Sequence, residues 1–297
     1  MSSFPSISRK SGRTMPSKSH AAGFLAAVLL SVGQPLARAD LLLGDDFTVT
    51  GTPNSEDANY NVAGRQTGSL APVSWSEQGQ GWQIQAGNGG ANEILLARFA
   101  ANDGSVPSPA AYLNFDFAPR LNLDNSVVEI RFDGRTIDNQ GDNSNWFSLN
   151  LSNSMPGQGF VNTGTFGVLF RLSGSIQVFD GGDNLTPVEP AFTSALGTYA
   201  SFMVRLSDTA GTGSAFNGAG ARAEIFANSN LVGTYVIDNN ALTGAYIGVG
   251  SYNGLHTIDN LTITAVPEAG AAGLVLLGAV VLLNARRRPP GHSADKE

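Results

Sequence analysis

Hydrophobic and polar positions alternate with a two-residue period in much of the chain between Leu41 and Thr264, with turn-forming residues between the alternating runs. In SVVEIRFDGR, Val128, Ile130 and Phe132 share one face and Glu129, Arg131 and Asp133 the other, the pattern of a strand with one buried side. AYLNFDF sets Leu113, Phe115 and Phe117 against Tyr112, Asn114 and Asp116, which predicts a half-buried strand from Ala111 to Phe117. FGVLFRLSGSIQVFD predicts a hairpin turning at Ser173 and Gly174, and ARAEIFANSNLVGTYVID a second one turning at Asn228 to Asn230. AYIGVGSYNGLHTIDNLTIT predicts two closing strands. Helical periodicity never exceeds about two turns in this span, and no fixed-period repeat is present. The expected class is therefore all-β: an antiparallel two-sheet sandwich filling residues 40–265 as one domain.

The two ends carry a different pattern. Arg9, Lys10, Arg13 and Lys18 precede an apolar run from Ala21 to Val32, and Gln34 and Pro35 break it before Ala37, Arg38 and Ala39. This is the order of a signal peptide over residues 1–39, with a small-x-small site for signal peptidase at Ala37 and Ala39 and a mature chain starting at Asp40. At the other end, Ala269 to Ala285 is free of formal charge and is followed by Arg286, Arg287 and Arg288. As a helix this stretch would reach about 25 Å, a short membrane span, with the arginines holding its end in the cytoplasm and residues 40–265 outside.

Composition narrows the chemistry. The chain has no cysteine, which excludes a disulfide framework, a thiolate zinc site and a cysteine nucleophile. Between Asp40 and Ala265 stand 21 acids against eight arginines and no lysine. Nucleic acid is therefore not an expected partner, since phosphate binding needs a basic stripe. Neutral glycans, cations and other proteins remain.

Val266, Pro267 and Glu268, followed by the short apolar helix and the arginine cluster, resemble the bacterial PEP-CTERM sorting signal, although Ala269 stands where the second proline of that motif would be. The resemblance implies a sorting segment over 266–288, a cytoplasmic tail over 289–297, transient anchoring in the inner membrane, processing by an exosortase, and delivery to the cell surface or extracellular matrix. The order ASFMVRLSD, ARAEIFANSNLVGTYVID, AYIGVGSYNGLHTIDNLTIT resembles concanavalin A-like, laminin-G-type jelly rolls over Ala200 to Thr264. Folds of that kind host lectins, glycosidases and scaffolding modules alike.

Laminarinase-type glycosidases share the fold, so a hydrolase or lyase acting on glycans is the alternative to a non-enzymatic binding or structural module. Such enzymes set acids along one strand, about 5 Å between nucleophile and acid in the retaining case. Here Glu129 could begin the motif, but Arg131 occupies the second acid position and neither Gly134 nor Arg135 supplies the third, so the run reads as a charge ladder and no catalytic residue is assigned. Outside the two ends His256 is the one histidine, and its place on the closing strand predicts a surface or edge position. A multi-histidine metal site is excluded. Calcium is the candidate cofactor, because Asp138, Asn139, Asp142 and Asn143 crowd one polar loop with the oxygen ligands that hard cations take; the competing reading is plain turn chemistry. Asp180 to Asn184 and Asp45 with Asp46 are further acidic groups, and GTGSAFNGAGA reads as a loop. Among Trp75, Trp82, Trp146 and Tyr252, Trp146 beside the polar loop is the candidate for stacking on an extracellular polysaccharide.

Overall fold

A computed structural model of the chain describes residues 39–47, 73–78, 82–86, 92–96, 110–117, 126–138, 145–152, 165–181, 183–185, 189–193, 195–208, 220–237, 246–252 and 254–267. They form two antiparallel sheets. The first runs β14 (Asn230–Ile237), β13 (Ala221–Ala227), β12 (Ala200–Asp208), β6 (Ser126–Asp138), β16 (Leu255–Pro267), β4 (Asn92–Leu96), β3 (Trp82–Ala86), with β1 (Asp40–Asp45) also paired to β16. The second runs β10 (Asp183–Asn184), β9 (Ser175–Asp180), β8 (Thr165–Arg171), β7 (Trp146–Ser152), β15 (Tyr246–Tyr252), β5 (Ala110–Leu113), β2 (Trp75–Gln78), with β11 (Glu189–Pro190) also on β9. The sequence neighbours β6 and β7 lie in different sheets, as do β15 and β16. The all-β, two-sheet expectation holds.

The alternating residues explain why the sheets pack. Val128, Ile130 and Phe132 of β6 and Phe202, Val204 and Leu206 of β12 are buried, as are Phe147, Leu149 and Leu151 of β7 and Phe166, Val168 and Phe170 of β8. Their rings meet across the interior: Phe132 and Phe170 stand edge to face at 5.5 Å, and Phe170 and Phe202 lie 4.3 Å apart. Each such side chain contributes about 1.5–3 kcal/mol on leaving water. Gly134 of β6 has a steric reason to be glycine, because a Cβ there would come within 2.7 Å of the Phe147 ring.

Both predicted hairpins form. β8 and β9 turn through Leu172, Ser173 and Gly174, with Gly174 at φ 81° and its N–H donating to the Arg171 carbonyl at 2.9 Å. β13 and β14 turn on Asn228 and Ser229, both at positive φ, the twist-matched geometry of a two-residue loop.

The pattern misleads in two places. The predicted strand Ala111–Phe117 ends at Leu113: Asn114 N–H donates to Ser74, Phe115 N–H donates back to Leu113, and the chain bends while still burying Phe117. Its four strand residues are buried on both faces alike, so no half-buried alternation survives in β5. In β16 a bulge between Asp259 and Thr262, with Asn260 at φ 53°, inserts an extra position, so that Ile258 and Leu261 are both buried although three residues apart. Val266 and Pro267, the first two residues of the expected sorting motif, lie inside β16, opposite Val127 and Ser126 of β6. Glu268, Ala37, the predicted membrane helix and the arginines Arg286 to Arg288 lie outside the described residues, as do most of the glycine-rich segment and Asn139, Asp142 and Asn143.

Candidate functional site

In β7, Phe147, Leu149 and Leu151 point into the core, so Trp146, Ser148, Asn150 and Ser152 share the outer face of the second sheet. Strand register sets their neighbours. Trp146 lies between Arg171 of β8 and Tyr252 of β15; Ser148 between Leu169 and Gly250; Asn150 between Gly167 and Gly248; and Tyr112 of β5 lies beyond Gly248. Two aromatic groups of the sequence reading, Trp146 and Tyr252, are thus brought side by side from positions over a hundred residues apart. Their rings stack at 5.7 Å with 16° between planes, and Tyr252 is 47% exposed while Trp146 is half-buried. Arg171 continues the row and donates to Gln177 Oε1 at 2.6 Å.

Beyond this platform the face has a polar, glycine-flanked floor. Asn150 is 6% exposed; its Nδ2 donates to Ser148 Oγ at 3.2 Å, while its Oδ1 is buried without a hydrogen-bond partner. A buried carbonyl without a donor is costly, about 1–3 kcal/mol. No sequence argument pointed to Asn150, although the spaced glycines of FGVLF and AYIGVGSY are the signal that its flanks carry no side chains.

His256 corrects the sequence expectation of a surface or edge residue. It is fully buried against Phe147, with Nδ1 3.0 Å from Thr136 Oγ1 and Nε2 3.3 Å from the Tyr252 carbonyl. Burial drives its pKa down to about 4, with the Tyr252 carbonyl opposing. The neutral ring donates from Nε2 to Tyr252 and accepts the Thr136 hydroxyl at Nδ1, so it ties the end of the strand that carries the exposed tyrosine to the core. The other two tryptophans, Trp75 and Trp82, are buried, and the Trp75 indole N–H donates to Asp45 at 2.8 Å.

The charge ladder exists, but its partners differ from those the strand alone suggests. Glu129 takes Arg131 at 2.7 Å and Arg205 of β12, also at 2.7 Å, and Arg205 reaches Glu224 at 3.7 Å. Asp133 instead accepts from Ser201 and from Asn260. Burial raises the Glu129 pKa, yet the two guanidinium bonds outweigh it and hold the carboxyl below its usual range. A carboxylate with both oxygens engaged by arginine is poorly suited to deliver a proton. Asp259 is raised by burial, with its bond from the Asn260 N–H opposing and Asp133, Asp46 and Asp45 adding to it. Asp45, of the acidic pair noted in the sequence, accepts from Trp75 and from the Phe47 N–H, a structural use. Among the described residues no three acids or histidines are grouped to hold a metal ion. Asp138 ends β6, and the rest of the candidate calcium loop lies outside the described residues.

No family model matches the chain, and no curated protein does. Among solved structures the chain is similar to lectin I from Ulex europaeus (14% identity, 65% of this chain and 92% of that one, TM-score 0.44). It is also similar to the winged bean acidic lectin (12% identity, 77% and 99%, TM-score 0.43) and to the carbohydrate-binding module CBM66 from Bacillus subtilis (11% identity, 64% and 94%, TM-score 0.38). Likeness at this level does not reach the side chains that would meet a ligand.

Proposed function

We propose that this protein is an exported, non-enzymatic glycan-binding module that contacts polysaccharide through the outer face of its second sheet at the Trp146–Tyr252 end. The observation that carries the reading is the stacked, partly exposed indole–phenol pair on two adjacent central strands, held in place by β-pairing and by the His256 bond to the Tyr252 carbonyl. A rigid aromatic surface presents apolar area at low entropic cost. The surrounding acidity favours a neutral glycan over an anionic one. A calcium ion held by Asp138, Asn139, Asp142 and Asn143 would tie down the segment that leads in sequence into Trp146.

The signal peptide, the Val266–Pro267–Glu268 sorting motif and the arginine cluster support export, exosortase processing after transient residence in the inner membrane, and a final place at the cell surface or in the extracellular matrix. The test of binding is titration of the purified chain with neutral beta-glucans and related polysaccharides. Trp146→Ala should weaken binding at least tenfold, about 1.4 kcal/mol, with the fold intact by circular dichroism. Release of reducing ends, abolished by changing a single acid, would overturn the non-enzymatic reading in favour of a hydrolase or lyase.

A further inference from the structure

Arg135 of β6 is only 6% exposed, although an arginine seldom leaves water without partners. Phe132 and Gly134 of the same strand face the core, so Asp133 and Arg135 lie on the outer face of the first sheet. There the ring of Tyr199 roofs the guanidinium, its centroid 4.4 Å from Cζ. Hydrogen bonds close the arrangement. Arg135 Nε donates to Thr257 Oγ1 at 3.2 Å, Thr257 Oγ1 donates to the Tyr199 hydroxyl at 3.2 Å, and Arg135 Nη1 reaches the Gly197 carbonyl at 3.5 Å. The turn that carries the ring is tied down as well, the Gly197 N–H donating to the Thr136 carbonyl at 2.7 Å and the Thr198 N–H to the Ala195 carbonyl at 3.0 Å. Yet Tyr199 is 36% exposed and Leu196, on the same turn, 53%. The ring is fixed from below and open above.

We infer that Tyr199 is a second stacking platform for a neutral saccharide, an inference that rests on the glycan-binding reading of the Trp146–Tyr252 pair. Charge selects the ligand class. A cation laid on the open face of the ring would be repelled by the guanidinium on the other face. An anion would meet Asp133 of β6 and Asp259 of β16, which are paired across the strands next to Arg135 and Thr257 on that outer face. A sugar ring carries no charge; it brings apolar C–H faces to the phenol and hydroxyls that carboxylates accept.

Both platforms stand at one end of the sandwich. β15 ends at Tyr252 and β16 starts at Leu255; His256, which bonds the Tyr252 carbonyl, precedes Thr257, which bonds the Tyr199 hydroxyl. The two aromatic surfaces belong to the outer faces of opposite sheets, whose packing separates them by about 10 Å of core. A short oligosaccharide therefore covers one platform, and a polymer crossing that end of the molecule reaches both. The second contact on one polymer is intramolecular, so it raises affinity through effective concentration.

The test is equilibrium binding of the purified chain to a panel of soluble neutral glucans, galactans and mannans, each with its matching trisaccharide. The wild type should take up two trisaccharides per chain and bind the polymer at least tenfold more tightly than the trisaccharide. Tyr199→Leu keeps Arg135 covered but removes the flat ring. It should halve the trisaccharide stoichiometry and weaken polymer binding at least fivefold, with unchanged circular dichroism. Tyr199→Phe keeps the ring over Arg135 and should stay within twofold of wild type, a rescue that damage to the turn would not allow. If Trp146→Ala weakens binding while Tyr199→Leu changes neither stoichiometry nor polymer affinity, the second platform is wrong and the first stands. Absence of binding across the whole panel would overturn the glycan-binding reading and this inference with it.

Discussion

At the scale of single residues, burial decides behaviour more than type does. His256 has its pKa lowered from 6.5 to about 4 by burial. Between those values the unfolded chain binds the proton and the folded one does not, so stability rises with pH through this window. The contribution is complete above about pH 6.5 and is lost as pH falls toward 4, on the order of 3 kcal/mol in all. Urea unfolding at several pH values, compared between wild type and His256→Gln, isolates the histidine because shifts at Glu129 and Asp259 are common to both proteins. The variant should show a visibly flatter acid limb. Equal limbs would mean that the histidine is protonated, and accommodated, in the folded state.

At the scale of elements, the turns are the most local part of the design and the most directly testable. Asn228 is held twice, its N–H donating to the Ser201 carbonyl at 2.7 Å and its Oδ1 accepting the Ser201 N–H at 3.1 Å. Ser229 follows at φ 67°, in the left-handed region where a Cβ is penalised. Ser229→Gly should relieve that penalty, offset in part by the freer unfolded chain, and raise stability by about 0.5 kcal/mol, read as a shift in the urea midpoint at constant slope. The same hairpin delivers β14 to the edge of its sheet.

At the scale of the whole molecule, β16 links the fold to the proposed export route. It pairs with β6 as far as Pro267, a strand end where a missing N–H is tolerated. A membrane helix starting at Ala269 would therefore follow with almost no linker and would hold the sheet against the bilayer, which favours a temporary anchor over a permanent one. Intact-mass measurement of the exported protein in its native host should find a chain beginning at Asp40, lacking the residues beyond the sorting motif and absent from the inner membrane. A membrane-bound product that still carries Arg286 to Arg288 would contradict the sorting assignment.

By itself, the amino-acid sequence determined the strands of β6, β8, β9, β13 and β14, both hairpin turns and the two-sheet class. Alternation and turn residues are local properties that any short window displays. It also excluded thiol chemistry by composition, and a multi-histidine metal site within residues 40–265 by the single histidine there. Only the tertiary structure decided which strands become neighbours, and with that the pairing of Glu129 with Arg205, the stacking of Trp146 on Tyr252, the burial of His256 and the exposure of β14. Those contacts join positions far apart in the chain, and no local period encodes which sheet a strand enters or whether it ends at an edge. The bulges of β14 and β16 show the limit most sharply: one extra residue moves every later side chain to the other face, and only the partner strand reveals where it was inserted.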